Sequence, residues 1–215
     1  FACWERFEPR DFTRTLKLVS VLSFRYSVIG TLNPNELEPV YHRAAKAVLD
    51  GSVSGPSGVF DHLRSVYVVD EKFRQDFALA AFQTRGNRKR LVKYILSRLE
   101  ADAVGRTLDA DTDPGTVEHI LPENPDASWE ELIPAERWAD WVYRLGNLTL
   151  LESNLNRDVG NSSYSQKVAA YRGSNYRIAS DVADLAPDEW TAALIDERQL
   201  RMADKAVRIW RSDFD

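Results

Sequence analysis

Cysteine is almost absent from this 215-residue chain, where Cys3 stands alone. An intrachain disulfide is excluded, and so is a zinc site built on cysteines. The scarcity fits a reducing compartment, so a cytoplasmic location is expected. Histidine is nearly as rare, with His42, His62 and His119 only. His42 and His62 have no second ligand at metal spacing. A metal site needs several converging donors, so both read as structural. No apolar run is long enough to span a membrane and no signal peptide is visible, so no membrane partner is expected. Internal repeats are missing too. The first residue is Phe1 and not Met, which fits a piece of something longer with an N-terminal domain missing.

What is present can build a sizeable core. The chain is 44% apolar and 11% aromatic, enough for one large domain or two small ones. Its net charge of -5 argues against non-specific nucleic-acid binding. The distribution says more. Residues 1–115 carry 17 Lys+Arg and 15 Asp+Glu, whereas residues 116–215 carry 11 and 18. A polyanion approaching the acidic half would need help from the other half or from a metal.

Residues 1–115 read as helical. Phe12, Leu16, Val19 and Leu22 recur at helical spacing. Asn33, Pro34 and Glu36 form a helix start of capping-box type, and Gly51 stops that helix. Residues 51–58 read as a loop. Asp70 and Asn87 are candidate caps for two further helices. Arg85, Arg88, Lys89, Arg90 and Lys93 form the one dense basic cluster, which is either a solvated helix face or a phosphate contact. Residues 101–116 turn acidic and small and end in Pro114-Gly115, which marks the best linker candidate. The domains expected are therefore 1–115, helical, and 116–215.

The chemistry-bearing residues lie in the second half. Glu118-His119-Ile120-Leu121-Pro122 reads as a short strand closed by its proline. An insertion with Trp129, Trp138 and Trp141 follows, and its tryptophans read as packing rather than base stacking. Residues 144–151 form the second strand, with Gly146 and Asn147 near its start. Residues 154–163 hold too many Asn, Ser and Asp for a regular element. Residues 164–171 read as a helix, and a long amphipathic helix follows residue 189, with Arg198 and Arg201 on a solvated face.

Glu118-His119-Ile120-Leu121-Pro122, Leu145-Gly146-Asn147-Leu148-Thr149-Leu150-Leu151 and Asn156 followed by Lys167 resemble the HNH, or His-Me finger, nuclease motif. More closely they resemble the C-terminal nuclease domain of GmrSD-type modification-dependent restriction endonucleases, shared with phosphorothioate-sensing Ssp-type phage-defence nickases. The resemblance implies a mainly α fold with a small ββα-metal core, α+β in class. It implies a metal-dependent endonuclease that nicks or cuts DNA, phage or modified, in prokaryotic defence. A nucleotide-hydrolysing domain would precede it.

The residue types suit that chemistry. Phosphodiester hydrolysis needs a base that takes a proton from water at neutral pH, and His119 is that candidate. Its second ring nitrogen needs a partner, and the side-chain carbonyl of Asn147 is the candidate. The resemblance puts Glu118 and Asn156 as ligands of a divalent ion, and hard oxygen donors favour Mg²⁺ or Mn²⁺. Arg157 and Lys167, with Arg88, Lys89, Arg90 and Lys93, are candidate nucleic-acid contacts. One physical difficulty is visible: neighbouring residues of a strand point to opposite faces, so Glu118 and His119 share a site only if the strand ends, bulges or twists there. The rival readings are a catalytically inactive DNA-binding or scaffold module, and a nuclease acting on RNA.

Overall fold

The computed structural model describes residues 1–214 and divides into two compact units. One comprises Phe1–Phe77 with the chain's end from Trp210; the other is Ala78–Ile209. The helices and strands in chain order are α1 (Ala2–Arg6), α2 (Pro9–Ser23), α3 (Leu37–Leu49), α4 (Pro56–Leu63), α5 (Asp70–Leu79), α6 (Asn87–Val104), β1 (Thr116–His119), α7 (Trp138–Trp141), β2 (Leu148–Leu151), α8 (Ser153–Val159), α9 (Tyr164–Arg172), α10 (Arg177–Leu185) and α11 (Ala192–Ile209). The fold is thus mostly helical with one small antiparallel sheet, in keeping with the α+β expectation. No helix among the described residues is long and apolar enough to cross a membrane.

The first unit is helical, as its periodicity implies. Helix α2 passes into a wider π turn at Phe24–Ile29. Asn33 accepts from the Asn35 amide, as a cap should. Glu36 does not complete the capping box, because its carboxylate accepts from the Tyr26 hydroxyl at 2.9 Å. The loop expected at 51–58 is shorter, since Pro56 opens α4 from the first-turn position that a missing N–H allows. Asp70 is itself the first residue of α5, and its carboxylate accepts from Arg25 at 2.7 Å. Arg25 is fully buried and also donates to the Trp210 and Val68 carbonyls. Its guanidinium also lies over the Tyr67 and Phe73 rings.

The second unit holds the sheet and, with it, residues 78–115, which had been grouped with the helical half. Helix α6 packs on β1 and β2 as well as α10 and α11. It ends where Gly105 takes a left-handed conformation with φ of 67°. The acidic stretch after it is no free tether. Lys93 donates to the Asp113 carbonyl at 2.6 Å, and the Asp113 carboxylate accepts from Tyr176 at 2.7 Å and from the Gly115 amide at 2.9 Å. Of residues 154–163, expected to be irregular, the first six fall in α8. Its Asn156 reaches back to β1, and that tertiary anchor outweighs the weak helix propensity of Ser and Asn.

Strands β1 and β2 pair with Glu118 opposite Thr149 and His119 opposite Leu148. The turn before β2 is clamped from α11. Gln199 is fully buried and accepts from the Gly146 amide at 3.0 Å, while Arg198 donates to the Gly146 and Leu148 carbonyls at 2.7 and 2.8 Å. Arg198, expected on a solvated face, is therefore a buried strut, and burial draws its pKa down to about 10. A Cβ at Gly146 would come 2.2 Å from the Ile195 carbonyl, so only glycine lets α11 approach this closely.

Candidate functional site

The site begins with a clamped strand end. The Asn147 side chain is fully buried and its amide is fully used. Its oxygen accepts from the Leu121 amide at 2.8 Å and the Trp190 indole at 3.0 Å. Its nitrogen donates to the Leu121 and Val142 carbonyls at 2.9 and 3.0 Å. With the backbone bond from Ile120 to the Asn147 carbonyl at 3.0 Å, residues 119–121 are fixed against the start of β2. Asn147 thus holds the backbone that carries His119. No recorded bond joins its amide to the imidazole, where the sequence reading placed it; two donors and two acceptor sites are already spent.

Glu118 and His119 leave the strand into different surroundings, as the alternation of a strand requires. Glu118 is buried beside α9. Its Oε1 accepts from Lys167 Nζ at 2.7 Å and from the Tyr171 hydroxyl at 2.9 Å. Lys167 also donates to the His119 carbonyl at 2.8 Å and is fully buried. Burial pushes the Glu118 carboxyl up and the Lys167 ammonium down, and each partly offsets this in the other. At 2.7 Å in a site closed to water, mutual attraction keeps them an ion pair.

His119 faces the other way. Its Nε2 lies 3.0 Å from Thr84 Oγ1, and Thr84 lies 3.5 Å from Glu123 Oε1. The Tyr143 hydroxyl donates to the same Glu123 oxygen at 2.9 Å, and the Tyr143 ring meets the imidazole edge-on. Thr84 arrives because residues 80–82 run beside 143–145: Phe82 donates to the Tyr143 carbonyl, and Ala81 bridges Arg144. Burial lowers the His119 pKa to about 4. Glu123 opposes that shift, and Lys167 and Lys89 add to it. The imidazole is therefore neutral at pH 7, with a lone pair available.

Two members of the basic cluster, Arg85 and Lys89, reach this face. Lys89 is close enough for its charge to act on His119, and Arg85 acts likewise on Tyr143. Arg85, Arg88, Lys89 and Arg90 are exposed, and no carboxylate among the described residues pairs with them. Lys93 is spent on Asp113. Arg157 is exposed on α8, 4.0 Å from the Asp158 carboxylate, away from the recorded contacts of His119. Lys167, expected to meet phosphate, is instead locked inside. Trp129 and Trp141 are buried, as packing residues should be.

The donor set does not fit a divalent ion as arranged. An ammonium already sits against the Glu118 carboxylate. The Asn156 amide nitrogen donates to Thr116 Oγ1 at 2.8 Å and to the Val117 carbonyl at 3.2 Å, on the edge of β1. Among the described residues no three His, Cys, Asp or Glu side chains gather as a metal-binding group.

Sequence reasoning missed Thr84, Glu123 and Tyr143. Glu123 follows the proline that closes the motif and was readable as a neighbour. Thr84 and Tyr143 carry no signal in spacing, because backbone pairing between distant segments brings them in.

Together these features define a mainly helical α+β domain with a histidine-centred polar site beside a basic helix end. The model of one family, the C-terminal domain of GmrSD restriction endonucleases, matches residues 67–205, and the chain belongs to that family. The match confirms the resemblance carried by Glu118 to Lys167 and covers residues on both sides of that stretch. A role related to restriction endonucleases follows. No match was found among curated proteins.

Proposed function

We propose that this domain hydrolyses phosphodiester bonds of DNA as an HNH-type, ββα nuclease of a prokaryotic restriction or anti-phage system. The observation that supports it best is the His119 surroundings: a neutral imidazole at a clamped strand end, within reach of the charge of the exposed Lys89, beside a Tyr143 that feels the exposed Arg85. Strands β1 and β2 followed by α8 supply the ββα order.

In this reading a water lies between His119 and a phosphodiester. His119 takes one proton from it as the oxygen attacks phosphorus in line with the leaving oxygen. The P–O bond to the leaving group breaks, and that oxygen is protonated from solvent. Negative charge spreads over the phosphoryl oxygens, and the cations at the start of α6 stabilise it electrostatically. Asn147 acts through the backbone by holding 119–121. Arg88, Lys89 and Arg90 take flanking phosphates, with Arg157 as an outer contact. No step here runs through a divalent ion. The Mg²⁺ or Mn²⁺ requirement that the resemblance implies would need Glu118 freed from Lys167, and it becomes an arm of the experiment. Recognition of modified DNA and nucleotide hydrolysis fall to the N-terminal domain that the resemblance implies.

The closed Glu118–Lys167 pair favours a second reading, an inactive DNA-binding or scaffold module. Supercoiled plasmid incubated with the wild type and with His119→Ala, in Mg²⁺, Mn²⁺ or EDTA, separates the two. Conversion to open circles by the wild type and a loss of at least about 100-fold in the variant support the nuclease. Binding without cleavage under every condition supports the module. Competition by RNA tests the substrate class.

A further inference from the structure

We propose that Thr84 and Glu123 are positioning residues that hold His119 in its Nε2–H tautomer and leave Nδ1 as the nitrogen that accepts the proton from water. The inference rests on His119 being the base of the proposed reaction, and it names residues outside the nuclease motif.

The argument is one of donor accounting. The Thr84 side chain is nearly closed to solvent and has one hydroxyl proton. Two groups lie in reach of Thr84 Oγ1: His119 Nε2 at 3.0 Å and Glu123 Oε1 at 3.5 Å. In this assignment the hydroxyl proton goes to Glu123, which can only accept. Thr84 Oγ1 then accepts from His119, and Nε2 must carry the ring proton. Nδ1 keeps its lone pair, and no recorded hydrogen bond uses it. Tyr143 donates to the same Glu123 oxygen at 2.9 Å and so fixes the carboxylate that ends the chain. The order His119, Thr84, Glu123, Tyr143 runs from a ring nitrogen to an anchored anion, the usual way a second partner selects a tautomer. It also explains why Asn147 need not touch the ring. The step from Thr84 to Glu123 is long, and it would shorten once His119 gains charge during proton transfer.

The experiment uses ¹⁵N-labelled protein and a ¹H–¹⁵N multiple-bond spectrum of the imidazoles at pH 7.5. The chain has only three histidines, so His119→Gln assigns the signal of interest. The wild type is expected to show His119 with Nε2 protonated. Thr84→Val keeps the shape and removes the hydroxyl; it is expected to give the averaged pattern of mixed tautomers, and Thr84→Ser is expected to restore the single form. In plasmid cleavage Thr84→Val is expected to lower kcat by about 10- to 100-fold with little change in KM, and Thr84→Ser to stay within about 3-fold. Wild-type protein with Nδ1 protonated overturns the proposal, and so does a Thr84→Val spectrum identical to wild type. The spectrum does not depend on turnover. If the tautomer responds as stated but no protein cleaves DNA, the positioning role stands and the nuclease reading falls.

Discussion

The two sides of β1 differ more than any two neighbouring residues of the motif would suggest. On one side Glu118 is sealed, its charge neutralised by Lys167 and its Oε1 oxygen also bonded to Tyr171. On the other His119 stands in a polar pocket with one nitrogen uncommitted and exposed cations nearby. Glu118 is buried and His119 half-buried; both have displaced pKa values, and burial is the leading cause in each. The difference is whether the charge requirement is met from inside. A group with an internal counter-charge holds the fold together. A group held neutral, facing cations that have no internal partner, is suited to act on something brought from outside.

Breaking the sealed side gives the largest stability effect. Lys167→Met strands the Glu118 carboxylate and is expected to cost about 3–5 kcal/mol, read by denaturant unfolding. Adding Glu118→Leu should recover most of that loss, because two apolar groups replace the pair without leaving a charge behind. If Lys167→Met unfolds no more easily than wild type, the sealed side is not a structural pair.

Gly146→Ala tests the support shared by both sides. The added methyl meets the Ile195 carbonyl, and Gln199 behind it, so α11 must shift. The expected cost is about 1–3 kcal/mol in the same assay.

The open side is sharpened by pH. The unfolded chain titrates His119 near 6.5 and the folded chain near 4, a depressed value. Between these values the unfolded state binds more protons, so stability falls as pH drops. The contribution is full above 6.5 and lost as pH falls through 4. The acid limb of kcat/KM is expected near 4 rather than 6.5. A limb at the ordinary histidine value would mean that the imidazole is not buried in the free protein.

The smallest effect is expected from a single exposed cation. Lys89→Ala should weaken DNA binding across all sequences and lower the salt slope by about 1, measured by titration at several ionic strengths. The same change at Arg157 should do less, because that side chain already lies beside Asp158.

Most secondary structure was legible in the sequence. Helices α2, α3, α6, α9 and α11 follow from periodicity, and both strands from a short β-branched run with its proline and from the Gly146-Asn147 start. Asn87, read as a cap, is instead the first residue of α6, whose N-cap is Gly86. Helix α8 was not legible, since its stability comes from Asn156 meeting β1 and not from local propensity. The division at 115 was read from composition, but Asp113 is tied to Lys93 and Tyr176 by bonds that composition does not reveal.

By itself the sequence determined the family and singled out His119 and Asn147, because residue type and spacing along one short stretch encode them; that Asn147 clamps backbone rather than the ring came from the structure. Only the tertiary structure decided what each charged group does. It turned Glu118 and Lys167 inward as a pair and buried Arg198 under the turn it clamps. It also brought Thr84 and Lys89, more than 25 residues away in the chain, to His119. The reason is physical: whether a charge is a strut or a tool depends on burial and on what lies within a few ångströms, and folding sets both.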